Sequence, residues 1–161
     1  MKRVLITGAG SCVGICFQKW MSQWPERYYI ETLDMKNENW KQFDFSSFDS
    51  VYHVAGIAHV TLDSSMEDLF YRVNRDLTIE TASVAKNAGV KQFIFMSSGI
   101  IYGDSSDVGK PFVITKETKP NPANFYGMSK LQAEEGIRKL EDDNFKVAII
   151  RSPALYRLGM K

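Results

Sequence analysis

Residues 2–17 read KRVLITGAGSCVGICF, and their order decides the fold. "KRVLIT" is an apolar run that stops at Thr7 and Gly8, the pattern of a strand entering a turn. Beyond the turn Val13, Cys16, Phe17, Trp20, Met21 and Trp24 recur at three- and four-residue spacing, which predicts a helix with one buried stripe, ended by Pro25. Between strand and helix stand Gly8, Gly10 and Gly14, which let the backbone turn tightly and bring bare amides and the positive helix end against a pyrophosphate. The same stretch has the charged start of a secretory leader in Lys2 and Arg3, but the glycines interrupt its apolar run and no small-x-small cleavage site follows.

Outward from there, strands and helices alternate. "YYIETLD" (28–34) reads as the second strand, "QFDF" (42–45) as a short third and "SVYHVAG" (50–56) as a fourth, although the link over residues 35–41 is too short for a crossover helix. "SSMED" (64–68) reads as a capping box, after which Met66, Phe70, Val73, Leu77, Thr81, Val84 and Ala88 continue one helical face to Gly89. "KQFIFMSS" (91–98) has the continuous apolarity of a parallel strand covered on both faces. A long polar loop over 99–121 leads to the helical "NPANFYGMSKLQAEEGIRKL" (121–140) and a last strand, "FKVAIIRS" (145–152). This alternation predicts an α/β fold, a doubly wound parallel sheet with helices on both faces.

Composition narrows the function classes. At 161 residues the chain is one domain with enough buried surface for a core. Lys plus Arg number 20 against 19 Asp plus Glu, with no basic stripe, so nucleic acid is not an expected partner. No apolar run reaches the length of a membrane span. Cys12 and Cys16 have neither redox nor zinc spacing and read as small packing residues in a reducing cytoplasm.

Chemistry is expected at the carboxyl ends of the strands. Asp34 follows Gly14 by twenty positions at the end of the second strand, where a carboxylate accepts both ribose hydroxyls of a dinucleotide; it would repel a 2′-phosphate, favouring NAD, with Lys36 nearby as a countercharge. Tyr126 precedes Lys130 by one helical turn, on the face of Ala133, Ile137 and Leu140. An ordinary amphipathic helix would also account for such a pair. Ser98, a hydroxyl at the end of "FIFMSS" on the same rim, favours a catalytic reading. His53 and His59 read as core histidines rather than catalysts, and no metal site is expected.

With "TGAGSCVG" (7–14), "DF" at Asp44, "HVAG" (53–56), "VN" at Asn74, "SSGIIYG" (97–103) and Tyr126-x-x-x-Lys130, the sequence resembles the extended short-chain dehydrogenase/reductases, the NAD-dependent epimerase/dehydratase family. The resemblance implies a Rossmann domain over residues 1–151 and, from 152 to 161, the start of a truncated substrate-binding segment. It implies Ser98, Tyr126 and Lys130 as the catalytic trio. Cofactor contacts are implied at Thr7, Gly8, Gly10, Ser11, Gly14, Asp34, Asp44, Ala55, Asn74, Tyr126 and Lys130. A cytoplasmic NAD-dependent epimerase of a nucleotide sugar, UDP-glucose 4-epimerase-like and of carbohydrate metabolism or polysaccharide biosynthesis, is the activity it suggests; a homodimer is compatible with it. The reading also includes a 4-keto-sugar reductase and a non-catalytic dinucleotide-binding module. Dehydration is disfavoured, since Gly99 and Ile100 stand where the dehydratases carry Asp-Glu. One departure is that the family's middle glycine falls at Ser11, with Gly10 one place early.

Overall fold

A computed structural model describes residues 1–58, 63–103 and 113–153. Strand β1 (Lys2–Thr7) leads through the glycine turn into helix α1 (Cys12–Met21) and strand β2 (Tyr28–Leu33). Strand β3 (Ser50–His53) follows, then helices α2 (Glu67–Phe70) and α3 (Leu77–Asn87), joined by a π-helical turn over Tyr71–Asp76. Strand β4 (Gln92–Ser98), helix α4 (Phe125–Arg138) and strand β5 (Lys146–Ser152) complete the order. All five strands are parallel, in the order β2-β1-β3-β4-β5. The order reverses beside β1, the switch point where open α/β sheets bind ligands outside the strand carboxyl ends.

The alternation in the sequence therefore gives the expected doubly wound sheet, with three departures. "QFDF" is not a strand. A 3-10 turn over Glu38–Gln42 runs into it, and Trp40, Phe45 and Phe48 turn into the core at 5 % exposure or less, Trp40 edge-on to Phe45, and Phe45 edge-on and Phe48 face-on to Phe43. Burying these rings as one plug wins over a ladder that the short link could not reach.

In the second departure, Asp63 rather than Ser64 caps the helical segment, accepting the Ser65 N–H at 3.0 Å. The π turn that follows moves the buried face: Phe70, Asn74, Thr78, Thr81, Ala82 and Ala85 face inward, while Val73, Leu77 and Val84 are half-buried. The extra residue of a π turn offsets a simple 3.6-residue count.

Third, the sheet is covered unevenly. On the side of α3 and α4, Phe93, Phe95 and Ser97 of β4 are buried, whereas Ile94 and Met96 on the α1 side are half-buried and Ile150 is exposed. α1 is itself half-open, with Trp20 and Cys16 exposed and its last turn ending before Pro25. Cys16 is thus no packing residue.

The main core lies between the sheet and the α3–α4 layer. It centres on Leu5, Val51, Phe93, Phe95, Ala82, Ala133, Ile137 and Phe145. At the strand carboxyl ends this core becomes polar. Glu134 of α4, 1 % exposed, accepts from Ser97 Oγ at 2.6 Å and from the Arg151 guanidinium, whose Nη2 lies at 2.7 Å; Arg151 Nη1 donates to the Tyr102 hydroxyl at 2.6 Å. Removing Arg151 leaves the Glu134 carboxylate buried without its paired charge. Arg151→Met should therefore cost about 3–5 kcal/mol by urea unfolding, and Glu134→Leu added to it should recover most of that loss. A single variant within about 0.5 kcal/mol of the parent would show that the pair carries no such load.

Candidate active site

The glycine turn is built by backbone geometry that a side chain would spoil. Gly8 has φ +114°, and a Cβ there would stand 2.7 Å from the Ala55 amide nitrogen, so the turn lies directly on the loop after β3. Gly10, at φ +80°, faces open space instead. Ser11, in the middle-glycine position, is the N-cap of α1: its hydroxyl accepts the Gly14 N–H at 3.1 Å. The departure from the family pattern thus supplies a cap, and leaves the turn open at Gly10.

A cavity of about 590 Å³ opens beside this turn. Of the expected cofactor contacts, Gly8, Gly10, Ser11, Asp34 and Ala55 line it, together with Lys36, Gly56 and Arg72, which spacing alone did not single out as contacts. The bare turn, the carboxylate at the end of β2 and the small Ala55 and Gly56 suit a dinucleotide laid across the switch point. Asp34 accepts the Lys36 N–H through Oδ1 at 3.0 Å. That turn fixes the carboxylate at the rim.

Thr7, Gly14, Asp44 and Asn74 stand apart from the cavity lining. Thr7 is buried, its hydroxyl 2.7 Å from His53 Nδ1. Gly14 is buried in the first turn of α1. Asp44 is exposed and accepts the Ser46 N–H at 2.8 Å; hydrogen bonds from Ser46 hold its carboxyl below the usual range. Asn74 is fully buried and its amide is committed, accepting from Ile57 N at 2.9 Å and donating to Ile57 O and Ser129 Oγ. It therefore holds the loop that forms the cavity wall. A buried amide with both ends satisfied is a strong local tie.

Ser98, Tyr126 and Lys130 are likewise not among the residues lining the cavity: α4 carries Tyr126 and Lys130, β4 ends on Ser98, and it is through Gly56 that Lys130 reaches the cavity wall. Asn124 caps α4, accepting the Gly127 N–H at 2.9 Å, so that Tyr126 sits in the first turn and Lys130 one turn deeper. Lys130 is 6 % exposed; its Nζ donates to Met96 O at 3.2 Å and lies 4.8 Å over the Phe95 ring. A Cβ on Gly56 would meet Lys130 Nζ at 3.1 Å and Asn74 Oδ1 at 3.0 Å, so the ammonium abuts the residue that lines the cavity. Burial draws its pKa down to about 8, while the Glu134 carboxylate acts in the opposite direction. Burial raises the Tyr126 phenol above its usual value and the Ser98 hydroxyl pulls it back. Without a further positive charge the phenol stays protonated at neutral pH.

His53 takes the core role expected of it. Both ring nitrogens have partners, Thr7 Oγ1 at 2.7 Å and Thr78 Oγ1 at 3.1 Å, and burial first, then Lys130, hold its pKa down to about 3. The ring is neutral at every physiological pH. His59 and residues 154–161 of the expected terminal segment lie outside the described residues, as does 104–112 of the long loop. Among the described residues no cluster of His, Cys, Asp or Glu could hold a metal ion, and no helix is long and apolar enough to cross a membrane.

The model of the NAD dependent epimerase/dehydratase family matches residues 18–157. The chain belongs to that family. The match begins beyond the glycine turn, whose assignment rests on the geometry above. Among curated proteins, the chain is 40 % identical over 114 residues to the UDP-glucose 4-epimerase of Vibrio cholerae, a match covering 69 % of this chain and 34 % of that protein. It thus spans about a third of the length of that relative. Among solved structures, dTDP-4-dehydrorhamnose reductase from Bacillus anthracis in complex with NADP superposes with TM-score 0.79 and 28 % identity, covering 97 % of this chain and 55 % of that one. UDP-glucuronic acid 4-epimerase from Bacillus cereus in complex with NAD shares the fold, with TM-score 0.76 and 18 % identity over 96 % of this chain and 57 % of that one.

The buried ammonium has a consequence for stability. The unfolded chain holds the Lys130 proton up to about pH 10.4 and the folded chain only to about 8, so stability should rise with pH between those values. Below pH 8 the cost of the buried charge is present in full. Lys130→Met should therefore be more stable than the parent by about 1–3 kcal/mol in urea unfolding at pH 7, with the gap narrowing by pH 10. A less stable variant at pH 7 would mean that the ammonium is a structural tie first.

Proposed function

We propose that this chain is the cofactor-binding part of an NAD-dependent nucleotide-sugar epimerase acting at a sugar hydroxyl, UDP-hexose 4-epimerase-like. The observation that carries the reading is the meeting at Gly56: the cavity that suits a dinucleotide and the buried Lys130 ammonium touch the same residue, with Tyr126 one turn away on α4. The identity to a UDP-glucose 4-epimerase supports the substrate class.

In this reading the glycine turn at Gly10 and the N-terminus of α1, which Ser11 caps, receive the diphosphate and Asp34 the adenine ribose. Bound NAD supplies a hydride acceptor and a positive charge. Tyr126, as phenolate, takes the proton of the sugar hydroxyl, and Ser98 donates a hydrogen bond to the same oxygen. Lys130 binds the nicotinamide ribose and favours the anion of Tyr126. With bound NAD accepting hydride from that carbon and giving it back to the other face, Tyr126 would return its proton to the sugar oxygen and the centre would be inverted. The nucleotide of the sugar needs binding surface beyond this rim, and remote binding accounts for much of such a barrier.

A 4-keto-sugar reductase needs the same three residues. The likeness at 28 % identity to a reductase structure holding NADP favours it as the second reading. Consumption of NADH or NADPH with a 4-keto sugar nucleotide would distinguish it from redox-neutral epimerisation.

Two measurements test the proposal. Calorimetry should give binding of NAD in preference to NADP; no heat with either, or a tenfold preference for NADP, would overturn the roles of the glycine turn and Asp34. In the full-length enzyme Tyr126→Phe should lower interconversion of UDP-galactose and UDP-glucose by about 10² to 10⁴ while leaving NAD binding within a few-fold. Near-normal turnover would reduce the Tyr126–Lys130 pair to an ordinary helix face.

A further inference from the structure

The cavity wall carries a charge that the functional reading leaves unused. The π-helical turn Tyr71–Asp76 bears two arginines with opposite fates. Arg75 is tied down, with Nε 2.6 Å from Asp76, Nη1 donating to Gln132 at 3.0 Å and its guanidinium 4.8 Å over the Tyr71 ring. Arg72 is exposed, lines the cavity, and has no ion pair or hydrogen bond among the described residues. The glycine turn opens α1 on one side of the sheet, whereas the π turn runs into α3, which packs on the other. Arg72 and the glycine turn therefore line the cavity from opposite sides of the strand ends. The turn that carries Arg72 is anchored from within by Asn74, two residues on, through both its bonds to Ile57. A widened helical turn that presents one residue to a cavity while burying another is a frequent companion of binding sites.

We propose that Arg72 is an anion-binding residue that closes over the diphosphate of the bound dinucleotide from the wall facing the glycine turn. The inference rests on the dinucleotide reading of the cavity. On the glycine-turn side the Gly8 and Ala9 N–H groups donate to Leu33 O and the Ser11 N–H to Gly8 O, which leaves the Gly10 N–H as a neutral donor there; a guanidinium supplies the charge and a planar pair of donors on the other side. Lys36 and Asp34, the other charged residues lining the cavity, stand together at the end of β2, where Asp34 accepts the Lys36 backbone N–H, whereas Arg72 is carried by the π turn.

The test is binding, with NAD, ADP-ribose, NADP and adenosine titrated against the parent, Arg72→Ala and Arg72→Lys, using calorimetry for the dinucleotides and NMR shifts for adenosine. Arg72→Ala should weaken NAD and ADP-ribose about tenfold and leave adenosine unchanged; Arg72→Lys should recover part of the loss, and the affinity ratio should shrink with added salt. Equal NAD affinity in parent and Arg72→Ala would overturn the proposal alone. A loss shared by adenosine, or one confined to NADP, would also overturn it, placing Arg72 at the adenine pocket or at a 2′-phosphate. No binding of NAD by the parent would bring down the dinucleotide reading itself, and this inference with it.

Discussion

One ammonium group sets the terms for the rest of the molecule. Lys130 points its charge into the top of the core, where it has a carbonyl, an aromatic face and the edge of Gly56 around it. A group so placed costs free energy unless its neighbours are polar and fixed. The backbone answers by ending β4 with Met96 O within reach, by admitting no side chain at residue 56, and by seating the Glu134 carboxylate one turn further along α4. Each of these also positions something else: β4 carries Ser98, Gly56 walls the cavity, and Glu134 holds Arg151 against Tyr102 of the turn that follows Ser98.

The sheet consequently has two characters along its length. Its lower part is closed by Leu5, Val51, Phe93 and Phe145, which supply burial without direction. Its upper part is a set of satisfied polar contacts: Thr7 and Thr78 on His53, Asn74 on Ile57, Ser97 and Arg151 on Glu134. Such networks are costly if half-made and stiff when complete. Rigidity at the strand carboxyl ends is what a site needs if a phenol, an ammonium and a cavity wall are to be held in fixed relation.

Much of this was legible in the sequence because it rests on local rules. β1, β2, β4 and β5 fall within a residue or so of the apolar runs, and the Tyr126–Lys130 spacing translates directly into one face of α4. What escaped depends on contacts distant in the chain. "QFDF" alternates like a strand, yet its rings close a plug with Trp40 and Phe48. Asn74 resembles a cofactor contact in its motif, but only the fold reveals that Ile57 and Ser129 consume its amide. Glu134 looks like a surface charge four residues after a lysine; its burial follows from Arg151, seventeen residues on and brought beside it by β5. Arg72 and Arg75 are indistinguishable in sequence, and only packing separates them.

In the proposed mechanism the oxidised cofactor and the buried ammonium together turn the Tyr126 phenol into a base that the protein alone does not make. The most direct measurement is an ultraviolet phenolate titration of the parent minus Tyr126→Phe, without and with saturating NAD. The difference isolates one of seven tyrosines. Without NAD, the phenol should titrate above its ordinary value of about 10, as its burial dictates. With NAD bound, the same transition should move below 10. A phenol that titrates at the same pH with and without bound NAD would contradict the claim, because the dinucleotide's charge would then lie out of reach of Tyr126.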